Sequence, residues 1–366
     1  MKISRIARIS AIGAVAALAL AGCAANETST PAGSDAPSAS TLEGTLKATG
    51  ASSQGSAQEA WVAAFQTANS GVTINYEPTG SGTGRENFIA GASDFIGSDR
   101  AFKTDEFADG FATCSSDAIV EVPLYISPVA VAFNLEGVDT LNLDAKSIAG
   151  IFAGTIVKWN DPAIAEQNDG VELPDLAISP VHRSDPSGTQ ETFTKYLSAT
   201  AGDVWTYEPA DVWPIKSGEA AQGTSGVVQA IKAGNGAIGF ADASQVSGLG
   251  QVHVGVDGDY VPYSAEAAAA LVENSPLEEG RGAGDLVFDV DPAAATAGSY
   301  PIALVSYLIA CEEYADANTA TLVKSYFEYV AGEDGQKAAA DNAGSAPISA
   351  GLREKVLTAI DTIKVG

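Results

Sequence analysis

The chain has 366 residues, with 46 acidic against 19 basic side chains and a formal net charge of −27. That length allows one large or two ordinary domains with an ample core. The acidic balance excludes nucleic acid and anionic membrane surfaces as partners, since both would be repelled.

In chain order, Lys2, Arg5 and Arg8 precede the uncharged run Ala11 to Ala21, so residues 1–22 read as an export signal too short for a comfortable membrane span. The run ends in Leu20-Ala21-Gly22-Cys23, which resembles the bacterial lipobox. That resemblance implies acylation of Cys23 as the first mature residue. It also implies a lipid-anchored protein on the extracytoplasmic face of the cell membrane. Removing residues 1–22 takes three basic and no acidic residues, leaving 16 against 46 and a net charge of −30. Cys114 and Cys311 then form an even pair in an oxidising compartment, which suggests a disulfide; two buried free thiols are the alternative.

Ala24 to Thr41 lacks any aromatic or large aliphatic residue, and residues 23–44 read as the lipidated cysteine and a flexible tether. From Thr45 short apolar runs alternate with amphipathic stretches. Thr45–Thr49 predicts a strand, and Ala57, Ala60, Trp61, Ala64 and Phe65 lie on one helix face. Val72–Tyr76 predicts a strand, Arg85–Ala90 a short helix and Asp94–Gly97 a third strand. This alternation argues for an α/β domain with a largely parallel sheet.

Val122–Leu135 and Tyr300–Ala310 are long and apolar enough to run from one domain into another. Between them lies a second α/β region with Ile148–Phe152, Ile178–Val181, a helix from about Gly188 to Leu197, and Ala237–Phe240. Helices Asn318–Val330 and Leu352–Ile363 follow. The expected organisation is a first lobe of residues 45–127 plus 302–366 and a second of residues 128–301, with the ligand in the cleft between them.

Three junctions place Gly and Ser or Thr where a strand gives way to a helix. They are Thr49-Gly50-Ala51-Ser52-Ser53-Gln54-Gly55, Pro78-Thr79-Gly80-Ser81-Gly82-Thr83-Gly84 and Asp185-Pro186-Ser187-Gly188-Thr189. A helix start has backbone N–H groups without internal partners and the positive end of the macrodipole, so it stabilises an anion. Arg183 adds a planar fork of donors suited to a tetrahedral oxyanion, and Asp185 is placed to hold that fork. Asp99 either caps the next segment or points into the anion site. In the second case an ionised carboxylate, which only accepts, prefers an oxyanion that still carries a proton, as monohydrogen phosphate does and sulfate does not.

The chain resembles the phosphate-binding lipoproteins of bacterial phosphate-specific ABC transporters from about Thr45 onward. The resemblance rests on T-G-S-G-T-G, D-F-I-G-S-D, S-P-V-A-V-A-F-N, I-F-A-G-T-I-V-K-W-N-D-P-A-I-A, V-H-R-S-D-P-S-G-T, G-A-I-G-F and Y-P-I-A-L-V-S-Y, in that order. It implies a type II periplasmic-binding-protein fold, two α/β lobes joined by two crossing hinge strands and closing on one inorganic phosphate. The binding residues it implies are Ser52, Ser53, Ser81, Asp99, Arg183, Ser187, Gly188 and Thr189, with Asp185 orienting the arginine and either Ser52 or Ser53 giving the side-chain contact of the first junction. It further implies a monomer without cofactor or metal that delivers phosphate to membrane permease subunits. Trp159-Asn160-Asp161-Pro162 reads as a packed corner and His182 as a neighbour of the site.

A hydrolase is the rival from another class. After removal of the signal only His182 and His253 remain as histidines, and no G-x-S-x-G elbow, Walker A pattern or metal-ligand cluster supports it. The nearer alternative is a receptor for sulfate, molybdate or a phosphonate.

Overall fold

The computed structural model describes residues 41–366. The expected export signal, Cys23 and most of the expected tether lie outside the described residues. Glu43 and Gly44, assigned to the tether on composition, are the first residues of a strand.

The first segment alternates strand and helix as its apolar spacing predicts: β1 (Glu43–Gly50), α1 (Gly55–Ala68), β2 (Gly71–Glu77), α2 (Ser81–Ile89) and β3 (Phe95–Ser98). Two details differ from the sequence reading. On α1 the buried positions are Ala57, Gln58, Trp61 and Phe65, while Ala64 is exposed, so a glutamine replaces an alanine on the inner face. Helix α2 begins at Ser81, four residues before the expected Arg85, because the glycine-rich stretch is itself the first turn.

Next comes β4 (Ile119–Asn134), 16 residues long and buried at every position but the last. At about 3.3 Å per residue such a strand spans roughly 50 Å, enough to thread two lobes. The second region holds β5 (Thr140–Leu143), α3 (Ala145–Ala153), α4 (Pro162–Ala165), β6 (Ser179–Arg183), α5 (Gly188–Ala201), β7 (Glu219–Ala221), α6 (Gly223–Ala233), β8 (Ala237–Asp242), β9 (Gly250–Val256), β10 (Asp259–Val261) and α7 (Ala265–Glu273). The chain then returns through β11 (Ala303–Cys311) to β12 (Glu313–Tyr314), α8 (Ala317–Ala331), α9 (Glu333–Ala343), α10 (Ala350–Asp361) and β13 (Lys364–Val365).

The main sheet runs β2-β1-β3-β11-β4-β8-β6-β7. It is mixed rather than largely parallel. Strands β2, β1 and β3 are parallel to one another, as are β7, β6 and β8, but β11 pairs antiparallel with β3 and β4, and β4 with β8. The crossing strands are the cause, because a chain that leaves one lobe and later returns must run both ways through the middle of the sheet.

Two hydrophobic cores flank these strands. The first contains Trp61, Phe88, Phe95 and Phe102 with β4 up to Ile126, together with Tyr326 and Phe327 of α8. The second starts on β4 at Val129 and contains Phe133, Phe152, Trp159, Phe193 and Phe240. Helix α7 touches both cores: its Ala267 packs in the second, whereas Ala268, Leu271 and Val272, with Val287 beyond it, pack in the first. Arg281 ties this excursion down by donating to the Phe102 carbonyl at 3.0 Å and pairing with buried Glu121 at 3.3 Å.

Cys114 and Cys311 form a disulfide with Cα atoms 5.3 Å apart, joining residues 197 positions apart in the chain. Trp159 is fully buried, with Nε1 donating to the Gly236 carbonyl at 3.1 Å, and Asp161 caps α4, so the W-N-D-P stretch is a packed corner.

Candidate functional site

Four helix starts meet where the two lobes touch. Tight backbone approach brings them there. Gly80, the N-cap of α2, has φ 103° and donates its N–H to the Gly50 carbonyl at 2.8 Å. A Cβ at Gly80 would collide with the Asp185 carboxylate and lie 3.3 Å from Nη2 of Arg183, so only glycine lets α2 reach the second lobe. The Gly82 N–H donates across the cleft to the Pro186 carbonyl at 3.1 Å. On the other side Gly188, the first residue of α5, sits against Asp99, whose Cβ would be 2.6 Å from an added Cβ.

All eight residues expected to bind the anion lie at this interface. Asp99 is at its centre, 5 % exposed. Its Oδ1 accepts from the Ser53 hydroxyl at 2.5 Å and the Ser306 hydroxyl at 2.7 Å, and its Oδ2 accepts from the Thr189 hydroxyl at 2.6 Å. The Asp99 backbone N–H donates to Ser81 Oγ at 3.1 Å. The side chain therefore points into the cleft rather than capping the segment after it, whose N-cap is Lys103.

Arg183 ends β6 and is 3 % exposed. It donates through Nε to Asp185 Oδ1 at 2.9 Å and through Nη2 to Asp185 Oδ2. Asp185 Oδ1 also accepts the Gly223 N–H at 2.9 Å, so one carboxylate fixes both the arginine and the start of α6. Ser187 caps α5, its Oγ accepting from the Gln190 N–H at 3.3 Å. The two serines of the first junction separate in role: Ser53 bonds Asp99, whereas Ser52 Oγ meets Thr224 Oγ1 at 2.9 Å and accepts the Thr224 N–H at 3.1 Å. His182 stacks on Trp213 at 4.7 Å and its Nδ1 bonds the Arg183 carbonyl, so it buttresses the strand rather than entering the cleft.

Sequence reasoning missed three groups of residues here. The fourth helix start, Gln222-Gly223-Thr224-Ser225-Gly226, carries the same Gly and hydroxyl signature as the other three and was legible by that signal. Ser306 carries the one aliphatic hydroxyl in the buried run Ala303–Cys311, and a buried polar group of that kind requires a partner. The third group is a set of ion pairs across the cleft: Arg85 with Asp211 at 2.9 Å, Arg100 with Glu191 at 3.0 Å, and Lys103 with Glu191 at 3.3 Å. No local pattern announces pairs so distant in sequence.

On the first-lobe side Arg100 clamps Glu106 at 2.6 and 2.9 Å. Burial works against ionisation of Glu106, yet the hydrogen bonds from Arg100 and the Lys103 N–H outweigh it and bring the carboxyl down to about 2. A folded value below the ordinary 4.5 contributes stability that is present above that ordinary value and lost as pH falls toward about 2. Thermal melts through that window are therefore expected to show wild-type and Glu106→Gln proteins converging as pH drops. A constant difference across it would show that the clamp is not the source.

The arrangement suits capture of a small tetrahedral anion. Converging helix starts supply N–H donors and positive dipole ends, Arg183 supplies charge and a donor fork, and Asp99 supplies an acceptor.

Comparison with known proteins agrees with this geometry. The signature of the PBP superfamily domain matches residues 35–334. The chain is 34 % identical over 327 residues to phosphate-binding protein PstS 3 of Mycobacterium leprae, covering 87 % of each chain. It is likewise 34 % identical over 376 residues to phosphate-binding protein PstS 3 of Mycobacterium tuberculosis, covering 99 % of this chain and all of the relative. Among solved structures, a high affinity periplasmic phosphate-binding protein bound with phosphate superposes with a TM-score of 0.69 at 21 % identity, over 86 % of this chain and 93 % of the other. At that identity the likeness concerns the fold, and it is the two-lobe fold described above. With the domain signature over most of its length and curated relatives matched nearly end to end, this chain belongs to the PBP superfamily and, within it, to the family of PstS phosphate-binding proteins.

Proposed function

We propose that this protein is an extracytoplasmic receptor that captures inorganic phosphate and delivers it to the permease subunits of an ABC-type importer. The observation that carries this reading is the buried carboxylate of Asp99 on the first lobe bonded to Thr189 at the start of α5, with Arg183 on the second lobe, where four helix starts converge. Cationic donors alone would take any oxyanion. An acceptor among them favours one that brings its own proton.

In this mechanism no bond is made or broken. Phosphate enters between the lobes and takes N–H and hydroxyl donors from Ser52, Ser53 and Ser81 on the first lobe. Arg183, Ser187, Gly188 and Thr189 then close over it from the second, while Asp185 keeps the guanidinium in its plane. Closure is favoured by contacts that exist only when the lobes meet. The family relationship supports transport rather than catalysis. The lipobox-like Leu20-Ala21-Gly22-Cys23 supports an acylated Cys23 and a lipid anchor on the extracytoplasmic face, which would hold the carrier beside its permease.

Isothermal titration with phosphate, arsenate and sulfate tests the reading. Phosphate and arsenate, both protonated near neutrality, are expected to bind tightly and sulfate weakly. Asp99→Asn is expected to narrow the phosphate-to-sulfate preference by about tenfold or more, since an amide can donate where the carboxylate only accepts. Equal affinity for sulfate in the wild type would instead identify a general oxyanion receptor.

A further inference from the structure

Asp99 does not stand alone in the first lobe. Behind it runs a chain of buried polar groups. Tyr326 of α8 donates its hydroxyl to Gln58 Oε1 at 2.8 Å, and Gln58 Nε2 donates to Gln54 Oε1 at 2.9 Å. Gln54 Nε2 donates to Ser306 Oγ at 2.6 Å, and Ser306 donates to Asp99 Oδ1 at 2.7 Å. Gln54 and Ser306 are fully buried.

The direction of this chain is fixed by one bond. Gln54 Nε2 also donates to the Tyr307 carbonyl at 3.1 Å, and a carbonyl can only accept. The amide nitrogen, not its oxygen, therefore faces Ser306. Since that nitrogen donates to Ser306 Oγ, the hydroxyl proton is left for Asp99. Ser53 and Thr189 also donate to Asp99, but among the described residues none donates to either hydroxyl, so both can turn toward an anion in the cleft.

Ser306 owes its position to an irregularity in the hinge. Between Ser306 and Tyr307 the register of β11 against β4 shifts, so that Leu124 is skipped between the partners Tyr125 and Pro123. Pro123 has no N–H to give to the ladder, and a bulge beside it re-aims the neighbouring side chains.

Resting on the phosphate reading above, we propose that Ser306, held by Gln54, is a specificity-determining positioning residue for Asp99. It supplies a permanent proton to Oδ1. That donor holds the carboxylate in one orientation as an acceptor, and what it seeks from the ligand is a proton. A ligand without one finds acceptor facing acceptor. Ser306 touches no ligand itself and acts only through Asp99.

The test is titration of the full-length wild type, Ser306→Ala, Ser306→Thr and Gln54→Met with phosphate and with sulfate, with thermal melts to establish that each variant is folded. Without the donor that orients it the carboxylate is free to turn, so Ser306→Ala is expected to lose phosphate affinity by about tenfold. Sulfate affinity is expected to fall by less than about threefold, because sulfate brings no proton for Asp99 to accept and so has no bond there to lose. Gln54→Met is expected to move the preference the same way, and Ser306→Thr, which keeps the hydroxyl, to restore it. A phosphate-to-sulfate ratio unchanged in both Ser306→Ala and Gln54→Met would overturn this proposal while leaving phosphate capture standing. Absence of phosphate binding by the wild type would overturn the functional reading itself and this proposal with it.

Discussion

Arg183→Ala is expected to weaken phosphate binding by about 30- to 5,000-fold, the equivalent of roughly 2–5 kcal/mol for truncating one partner of a buried, hydrogen-bonded charge pair. Two losses combine in that figure. The anion loses the cationic fork proposed to hold it. Asp185, whose side chain is 10 % exposed, keeps the Gly223 N–H but loses both guanidinium bonds. An acidic carboxylate left that way repels the ligand it helped to hold. Arg183→Lys is expected to recover only part of the loss, because an ammonium restores the charge and not the planar geometry. Isothermal titration gives the affinities, and a melt without phosphate gives the cost to the fold. Binding by Arg183→Ala within threefold of wild type would remove Arg183 from the site.

Gly188→Ala is expected to lower phosphate affinity by at least about 100-fold through a different route, by preventing the lobes from meeting. The added methyl would lie 2.6 Å from Asp99 Cβ, 2.9 Å from the Asp99 carbonyl carbon and 3.0 Å from the Arg100 nitrogen. Two of those three are backbone atoms that cannot rotate away. The same methyl is harmless to α5 itself, since alanine favours a helix over glycine by about 1 kcal/mol. Stability without phosphate should therefore be unchanged or slightly raised, while small-angle scattering should show no compaction on adding phosphate. Gly84→Ala provides the contrast. Its methyl would meet Gly50 Cα at 2.6 Å within the first lobe, so it should destabilise the protein with or without ligand. Compaction of the Gly188→Ala protein by phosphate would show that closure does not need this contact.

Much of this architecture can be read in the residues, and the exceptions have identifiable causes. Strands β1, β2 and β3 and helix α1 follow from apolar spacing, and the crossing strands from the length of their apolar runs. The mixed sheet does not follow, because alternation of strand and helix describes each lobe and says nothing of chains that pass between them. Helix α2 starts earlier than apolar spacing predicts because glycine is a poor helix former, yet in this first turn the bareness of Gly82 serves the approach of Pro186, whose carbonyl its N–H meets. The site residues on helix starts were visible because caps and phosphate cradles use the same residue types. Gln58 and Ser306 were not, since one polar residue on a buried helix face or in a buried strand looks like an exception to a pattern until its partner is known. The pairs made by Arg85, Arg100 and Lys103 with Asp211 and Glu191 depend wholly on how the lobes close.

The bond between Cys114 and Cys311 has a further meaning for a lobe made of two separated stretches of chain. Cys114 belongs to the stretch that precedes the second lobe and Cys311 ends the strand that returns from it. Every peptide bond of the second lobe therefore lies inside a covalent ring. A protease that nicks an exposed loop there, such as the one carrying Tyr207 and Val212, breaks the ring without releasing a fragment. As long as that disulfide is not reduced, such a molecule remains one piece after its main chain has been cut once.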